Sequence, residues 1–591
     1  MTQNKYGCEN VRWDLSALYS SINCPELEAD MKTCESEALQ ISDTCRGKVS
    51  ELDVNGLYEL IVRMENVSER LGKINSFAEL NFATQVTAPE AGAFLQKISE
   101  FSSSVSRELL FFDIEWTKVP DPQADALISD SRLARYRHFL SSLRRYKPHL
   151  LTEAEERILV EFNPVGTDSW NKLFEKLLAD QRYGQNGRTQ EELLSDLYNP
   201  AREIRQKAAS DLTNGLKANG LVLTHVFNTI LATKMIDDRL RQYPGWLSSM
   251  NLHNELEDSI VNTLTETVIS RYDMVKRYYR LKQKLLGLDR LYDYDRYAPV
   301  KGLPTDKIDW LTCKEQVLSA FGRFSGEMSG IAAHFFDENW IDAPVVPGKT
   351  GGAFAHPCVP SAHPYILVNY TGDTRDVETV AHELGHGVHQ ALAAQQGYFE
   401  SHTPLTFAET ASVFAEMLVF QSLLETVKEP EARLAMLCSK IESIFATVFR
   451  QIAMNQFEDS LHTLRREKGE LSQEEITSQW LATQNAMFQG SVDLTDDYGI
   501  WWSYIGHFLH APGYVYAYAF GELLVLSLYD IYRNGFPEFE QRYLELLGAG
   551  GSRTPTQLME PFGIDLNSKK FWENGLNYIE KMIAEAEKLA G

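Results

Sequence analysis

Asp376-Val377-Glu378-Thr379-Val380-Ala381-His382-Glu383-Leu384-Gly385-His386-Gly387-Val388-His389-Gln390-Ala391-Leu392 is the stretch on which the reading of this chain turns. It reads as a helix, and inside it His382 to His386 spell HExxH. Residues four apart on an α-helix lie one above the other on a single face. His382 and His386 can therefore aim both imidazoles at one ion. Glu383 follows the first of them directly, within reach of a water held by that ion. Two neutral imidazoles and a carboxylate base at this spacing are the parts of a zinc hydrolase site. The plain alternative is a chance match on a polar helix face.

The rest of the chain bounds that reading. Its 591 residues are enough for two or more cores, and 44% hydrophobic with 24% charged residues is ordinary globular composition. A formal net charge of -25 argues against a nucleic-acid partner, whose phosphates it would repel. No uninterrupted apolar run suggests a membrane span, and Met1 to Val11 lacks the apolar core of a signal peptide. The seven cysteines are scattered, odd in number and without a CxxC pair, which fits a reduced, cytoplasmic setting. Cys8, Cys24, Cys34 and Cys45 fall early, at spacings that match no zinc-ligand pattern.

Most segments read as amphipathic helix. Thr152 to Glu155 is a capping box, and Asn199-Pro200 reads as an N-cap followed by proline at the first helical position. The last helix carries Ile579, Met582, Ile583, Ala586 and Leu589 on one face. The turn-rich patch Tyr183 to Thr189 is the clearest internal break, which predicts an N-terminal helical domain over 1–187 and a catalytic domain over 188–591. One region breaks the helical rule. Lys349 to Ala355 and Tyr365 to Tyr370 read as two short strands separated by Pro357, Pro360, Ser361 and Pro364. A strand edge beside a peptidase site can pair with an extended peptide; the plainer use is to pack the helix.

A zinc site needs a third protein ligand. The run after His386 does not continue as HExxHxxGxxH, so the ligand must come from elsewhere. Phe407 to Glu416 supplies candidates on a second helix, with Phe407, Ala411, Phe414 and Leu418 on its apolar face and Glu409, Ser412 and Glu416 on another. Glu409 is the expected ligand and Glu416 an outer partner for an imidazole N–H. Each alone could equally be a solvated helix carboxylate. His389 shares the face of the other histidines, but a fourth protein ligand would close the site to water, so a structural role is expected.

One zinc ion held by two histidines and a glutamate leaves a position for water of depressed pKa, with Glu383 accepting its proton as it attacks a peptide carbonyl. The resulting oxyanion needs donors. His507 to Tyr518 is rich in them: His510, Tyr514 and Tyr518 are spaced four apart and would form a polar ridge on a continuous helix. An aromatic core stripe is the competing reading of the same spacing.

Taken together, the HExxH helix with His389, the segment Phe407 to Ser412, the strands around Gly352-Ala353-Phe354 and Ile366 to Asn369, His507 to Tyr518, and Leu547 to Ser552 resemble the oligoendopeptidase F and thimet oligopeptidase family of zinc metallopeptidases. The similarity runs from about residue 190, where Leu194-Ser195-Asp196 with Arg202 and Arg205 looks like the start of the family's catalytic domain, to the end. It implies a mainly α, two-lobed helical fold with a deep substrate channel and a small β-sheet beside the HExxH helix. It also implies one zinc per chain on His382, His386 and Glu409, and Glu383 as general base. Transition-state donors are implied at His507, Tyr514 and Tyr518, with His510 the competing histidine. Gly506 and Gly513 depart from the family pattern. The implied activity is hydrolysis of internal bonds in short unstructured peptides, with no nucleic-acid or membrane partner.

Two other readings compete. A zinc carboxypeptidase or dipeptidase would use the same chemistry with a clamp for the terminal carboxylate, and an aminopeptidase would need an acidic amine anchor that Gly352 to His356 does not provide. A non-catalytic helical peptide binder would have no reason to keep His382, Glu383, His386 and Glu409 together.

Overall fold

The capping box read at Thr152 forms, and the signal at Asn199 does not act as read. The computed structural model describes residues 6–303 and 306–591. Thr152, Thr189, Ser472 and Thr554 each open a helix with a reciprocal capping box, satisfying donors that the first turn leaves unpaired. The last helix, Lys569–Ala590, buries Ile579, Met582, Ile583 and Ala586. At Asn199 the expectation is corrected. The helix runs Arg202–Ala218, because Asn199 Oδ1 accepts the Ala201 N–H at 2.9 Å and holds the chain in a turn ahead of it.

The chain divides into two compact units. The first comprises Met1–Lys147, Pro304–Thr426 and Gly535–Gly563. Its N-terminal part packs long helices, Pro25–Cys45, Val54–Ala83 and Pro89–Leu109, around Ile41, Leu57, Ile61, Ile74 and Leu80. Its sheet has three strands: β1 (Ile341–Pro344), β2 (Phe354–His356) and β3 (Tyr365–Tyr370), in the order β1-β3-β2. β3 is central and nearly fully buried, parallel to β1 through Ile341↔Ile366 and antiparallel to β2 through Ala355↔Ile366. β2 is an edge, and it is shorter than the strand expected over Lys349 to Ala355.

Sequence reasoning missed β1, a four-residue strand containing Asp342 and ending on Pro344. Its carboxylate is buried because Lys349 Nζ reaches Asp342 Oδ1 at 2.7 Å and Arg12 reaches it at 3.2 Å. Lys349 also donates to the Pro344 and Val368 carbonyls at 3.0 and 2.6 Å, so the buried ammonium is fully satisfied and ties β1 to β3.

Two helices complete the frame of the site: α1 (Thr374–Ala393) and α2 (Thr410–Thr426). Asp376 fixes the start of α1 by accepting the Thr371 and Asp373 N–H groups at 2.7 and 3.2 Å. Thr406–Thr426 is long and apolar enough to cross a membrane by length and composition, but 72% of its most apolar window is buried within the protein. Phe407, Ala411, Phe414 and Leu418 form the expected core face.

The second unit comprises Pro148–Leu303, Val427–Asn534 and Ile564–Gly591. Its core gathers Phe227, Phe457, Trp480, Trp501 and Phe508. Tyr183 and Arg188 pair across the turn-rich patch, which lies inside this unit. The elements that matter here are α3 (Phe449–Lys468) and α4 (Tyr516–Arg533). All seven cysteines are free thiols.

Candidate active site

α1 and α2 pack closely enough to share one cluster of side chains. Gly385 makes this possible: a Cβ built on it would stand 2.5 Å from the Ala411 carbonyl oxygen and 2.6 Å from Ser412 Cα. Glycine in a helix interior carries a propensity cost, accepted here for backbone approach. Glu409 lies at the break between the short helix Leu405–Ala408 and α2. Tyr543 Oη donates to the Thr410 carbonyl at 2.8 Å and anchors that break.

The result brings His382, His386 and Glu409 together. One ligand atom from each lies within 4.8 Å of the other two, the only such group of metal-binding side chains among the described residues. Glu409 Oε2 is 3.3 Å from His382 Nε2 and 3.5 Å from His386 Nε2, and the two rings stand 5.0 Å apart. Glu416 Oε2 takes the other side of the first ring, 3.2 Å from His382 Nδ1. Ser412 Oγ donates to Glu409 Oε2 at 2.7 Å. Two imidazole nitrogens, one carboxylate oxygen and a carboxylate behind a ligand ring fit the donor set that zinc takes. His389 points elsewhere: it is buried, its Nε2 is 3.2 Å from Thr403 Oγ1, and burial lowers its pKa to about 3.

Glu383 projects beside this group and is 7% exposed. Burial raises its carboxyl pKa above the ordinary range, the two imidazoles pull it down, and the nearby Ala355 N–H on β2 adds a small pull in the same direction. Burial likewise opposes ionisation of Glu409, but the imidazoles beside it win and hold that carboxyl well below its usual range.

In the second unit the expected polar ridge is broken. His507–His510 is a single helical turn, Gly513 takes φ +84°, and α4 begins only at Tyr516. Pro512 has no N–H to continue a helix, and Gly513 adopts the left-handed region at no steric penalty. The break sorts the candidates. His507 Nε2 is 3.0 Å from Tyr518 Oη, and its ring lies parallel to that of Tyr514 with centroids 6.4 Å apart. Tyr514 and Tyr518 meet edge to face at 5.0 Å. His510 instead faces Glu175, at 3.7 Å, and Phe174. Desolvation, then the Arg450 cation and His510, lower the His507 pKa, favouring a neutral ring. Phe508 and Leu509 are buried and root this turn in the core.

Comparison with known proteins agrees in order along the chain. Residues 115–183 match the model described as Oligopeptidase F, and residues 327–578 match peptidase family M3. The chain belongs to peptidase family M3. An oligoendopeptidase F homolog of Borreliella burgdorferi is 25% identical over 98% of both chains. Oligopeptidase PepF of Bacillus subtilis is 26% identical over 92% of this chain and 82% of its own. The fold is that of oligoendopeptidase-F from Enterococcus faecium, which superposes with a TM-score of 0.73 over 95% of this chain and 98% of that one, at 22% identity. The M3 match spans α1, α2, α3 and α4, and so includes His382, Glu383, His386, Glu409, Glu416, His507, Tyr514 and Tyr518. Membership makes the chain a peptidase.

Sequence reasoning missed Glu458, a fully buried acid on α3 that accepts the Gly513 N–H at 2.8 Å. Its only signal was a glutamate following Phe457 within an amphipathic helix, which points to nothing by itself.

Proposed function

We propose that this M3 peptidase is a zinc-dependent oligopeptidase that hydrolyses internal peptide bonds of short unstructured peptides. The carrying observation is the convergence of His382, His386 and Glu409 within 4.8 Å, with Glu383 on the same helix. His382, His386 and Glu409 would hold one zinc, which supplies Lewis acidity to a water and to the scissile carbonyl. Glu416 fixes the His382 tautomer by accepting from Nδ1, and so sets which nitrogen faces the ion. Glu383 accepts the proton of the attacking water and returns it to the leaving nitrogen. β2 is the edge strand of the sheet, with Ala355 next to Glu383, and an extended peptide can add beside it as a further strand. His507, Tyr514 and Tyr518 donate to the oxyanion, a task for which hydroxyls that stay protonated at neutral pH are suited.

A pair of substitutions and one substrate series test this. Glu409→Ala is expected to lose zinc by elemental analysis and to lose activity. Glu383→Gln is expected to keep zinc and fold while turnover falls about 100- to 10,000-fold, since the amide cannot take the proton. A short peptide blocked at both ends is expected to be cut internally. If only free-ended peptides are cleaved, the chain is a carboxypeptidase or dipeptidase instead. Digestion of a mixed peptide library, read by mass spectrometry, reports the size limit.

A further inference from the structure

The loop that carries Tyr514 is held from behind by a buried acid. Glu458 sits on α3 and is 1% exposed. Its Oε1 accepts the Gly513 N–H at 2.8 Å, and its Oε2 has no hydrogen-bond partner among the described residues. Burial pushes its carboxyl pKa up to about 8, with the Gly513 N–H and Lys234 pulling the other way. At neutral pH it is mostly a neutral acid, with one oxygen given to the loop.

Gly513 is gripped from its other side as well. A Cβ there would stand 2.8 Å from Leu247 Cδ1 and 3.2 Å from the Trp246 ring. Trp246 is itself fixed: its indole N–H donates to Asp459 Oδ1 at 2.7 Å, and its ring stacks on His462 at 4.4 Å. Adjacent residues of α3, Glu458 and Asp459, thus hold the two jaws of one clamp. The clamped residue separates the turn bearing His507 from the start of α4, and Tyr514 follows it directly. The three side chains that contact one another, His507, Tyr514 and Tyr518, come from both sides of the Pro512-Gly513 break. Their alignment is therefore not imposed by a shared helix and must be imposed by whatever fixes the break.

We propose that Glu458 is a positioning residue of this peptidase, which by accepting the Gly513 N–H sets the loop that aligns His507 and Tyr514 with Tyr518. The inference rests on the reading above in which those three groups serve the reaction. Misplacement of a donor by about 1 Å can cost on the order of 100-fold in rate with little change in binding.

The test uses the full-length, zinc-loaded protein and a quenched fluorescent short peptide. Glu458→Gln keeps an acceptor of the same shape and the neutral charge, and is expected to stay within about threefold of wild-type kcat. Glu458→Leu removes the acceptor and is expected to lower kcat about 10- to 100-fold with KM and zinc content unchanged. Where the leucine variant does not fold, Glu458→Asp, which retracts the acid by one methylene, is expected to show the same kcat-only loss in smaller measure.

Each loss is then measured again in a Tyr514→Phe background. Positioning predicts that the loss largely disappears there, because the group being aligned is already gone. A wild-type kcat in Glu458→Leu, or in Glu458→Asp where that variant stands in, overturns the proposal, as does a loss that stays fully additive. Silence of His507→Ala and Tyr514→Phe would instead defeat the donor reading, and the positioning role with it. Damage from those two variants beside a silent Glu458 variant would defeat the positioning role alone.

Discussion

Gly385 on α1 and Ser412 on α2 approach so closely that a methyl group on the first would stand 2.6 Å from the Cα of the second. The obstructing atoms are backbone, so no rotamer change can relieve them. Gly385→Ala is expected to push α2 away, destabilising the fold by about 1–3 kcal/mol or more and drawing Glu409 back from the histidines. Thermal melting and zinc titration read the two effects. A stable variant with wild-type zinc affinity would show that the helices can separate without loss of the site.

Glu416 meets the metal group at the ring of His382, its Oε2 3.2 Å from Nδ1. Glu416→Gln keeps an acceptor for His382 Nδ1 but removes its charge, so the imidazole is oriented yet less basic. The expected result is about 10- to 100-fold weaker zinc binding with an unchanged melting temperature for the metal-free protein. Competition with a chelator of known affinity measures it. Unaltered affinity would make Glu416 a bystander.

The histidine–tyrosine cluster separates a donor role from a packing role. Tyr514→Phe and Tyr518→Phe keep the rings and remove only the hydroxyls. If a hydroxyl serves the oxyanion, kcat falls about 100- to 1000-fold with little change in KM. If the rings merely pack, the rate holds and melting shifts. His507→Ala is expected to be far more damaging than His510→Ala, because His510 turns toward Glu175. Equal damage from both would reassign the role.

Glu458 also predicts a pH effect on stability. Its folded-state pKa is raised from 4.5 to about 8 by burial. The folded protein therefore holds a proton that the unfolded chain releases between these values. The stabilisation is full below about 4.5 and is lost as pH rises through about 8. Glu458→Gln does not titrate, so its melting temperature relative to wild type is expected to improve from pH 5 to pH 9. A constant difference across that range would mean that the carboxyl is ionised in the folded state throughout.

Two classes of feature can be told apart by where their information lies. The sequence by itself determined what depends on spacing along one segment. His382 and His386 share a face because a helix repeats every 3.6 residues, Glu383 follows the first of them directly, and the capping boxes at Thr152 and Ser472 work within a single turn. Glu409 was legible as the first carboxylate of the next segment with helical periodicity, but it stands at the break ahead of α2 and not on a continuous helix. What only the tertiary structure decided depends on distance through space. β1 exists because Lys349 neutralises Asp342. Glu416 meets His382 because Gly385 lets two helices touch. The ridge expected over His510, Tyr514 and Tyr518 gives way to a bend at Pro512-Gly513, which returns His507 to the tyrosines and turns His510 away. That bend is held by Glu458, 55 residues earlier in the chain. Periodicity carries no record of such contacts, since a buried hydrogen bond depends on where two backbones meet and not on how the residues beside either partner are spaced.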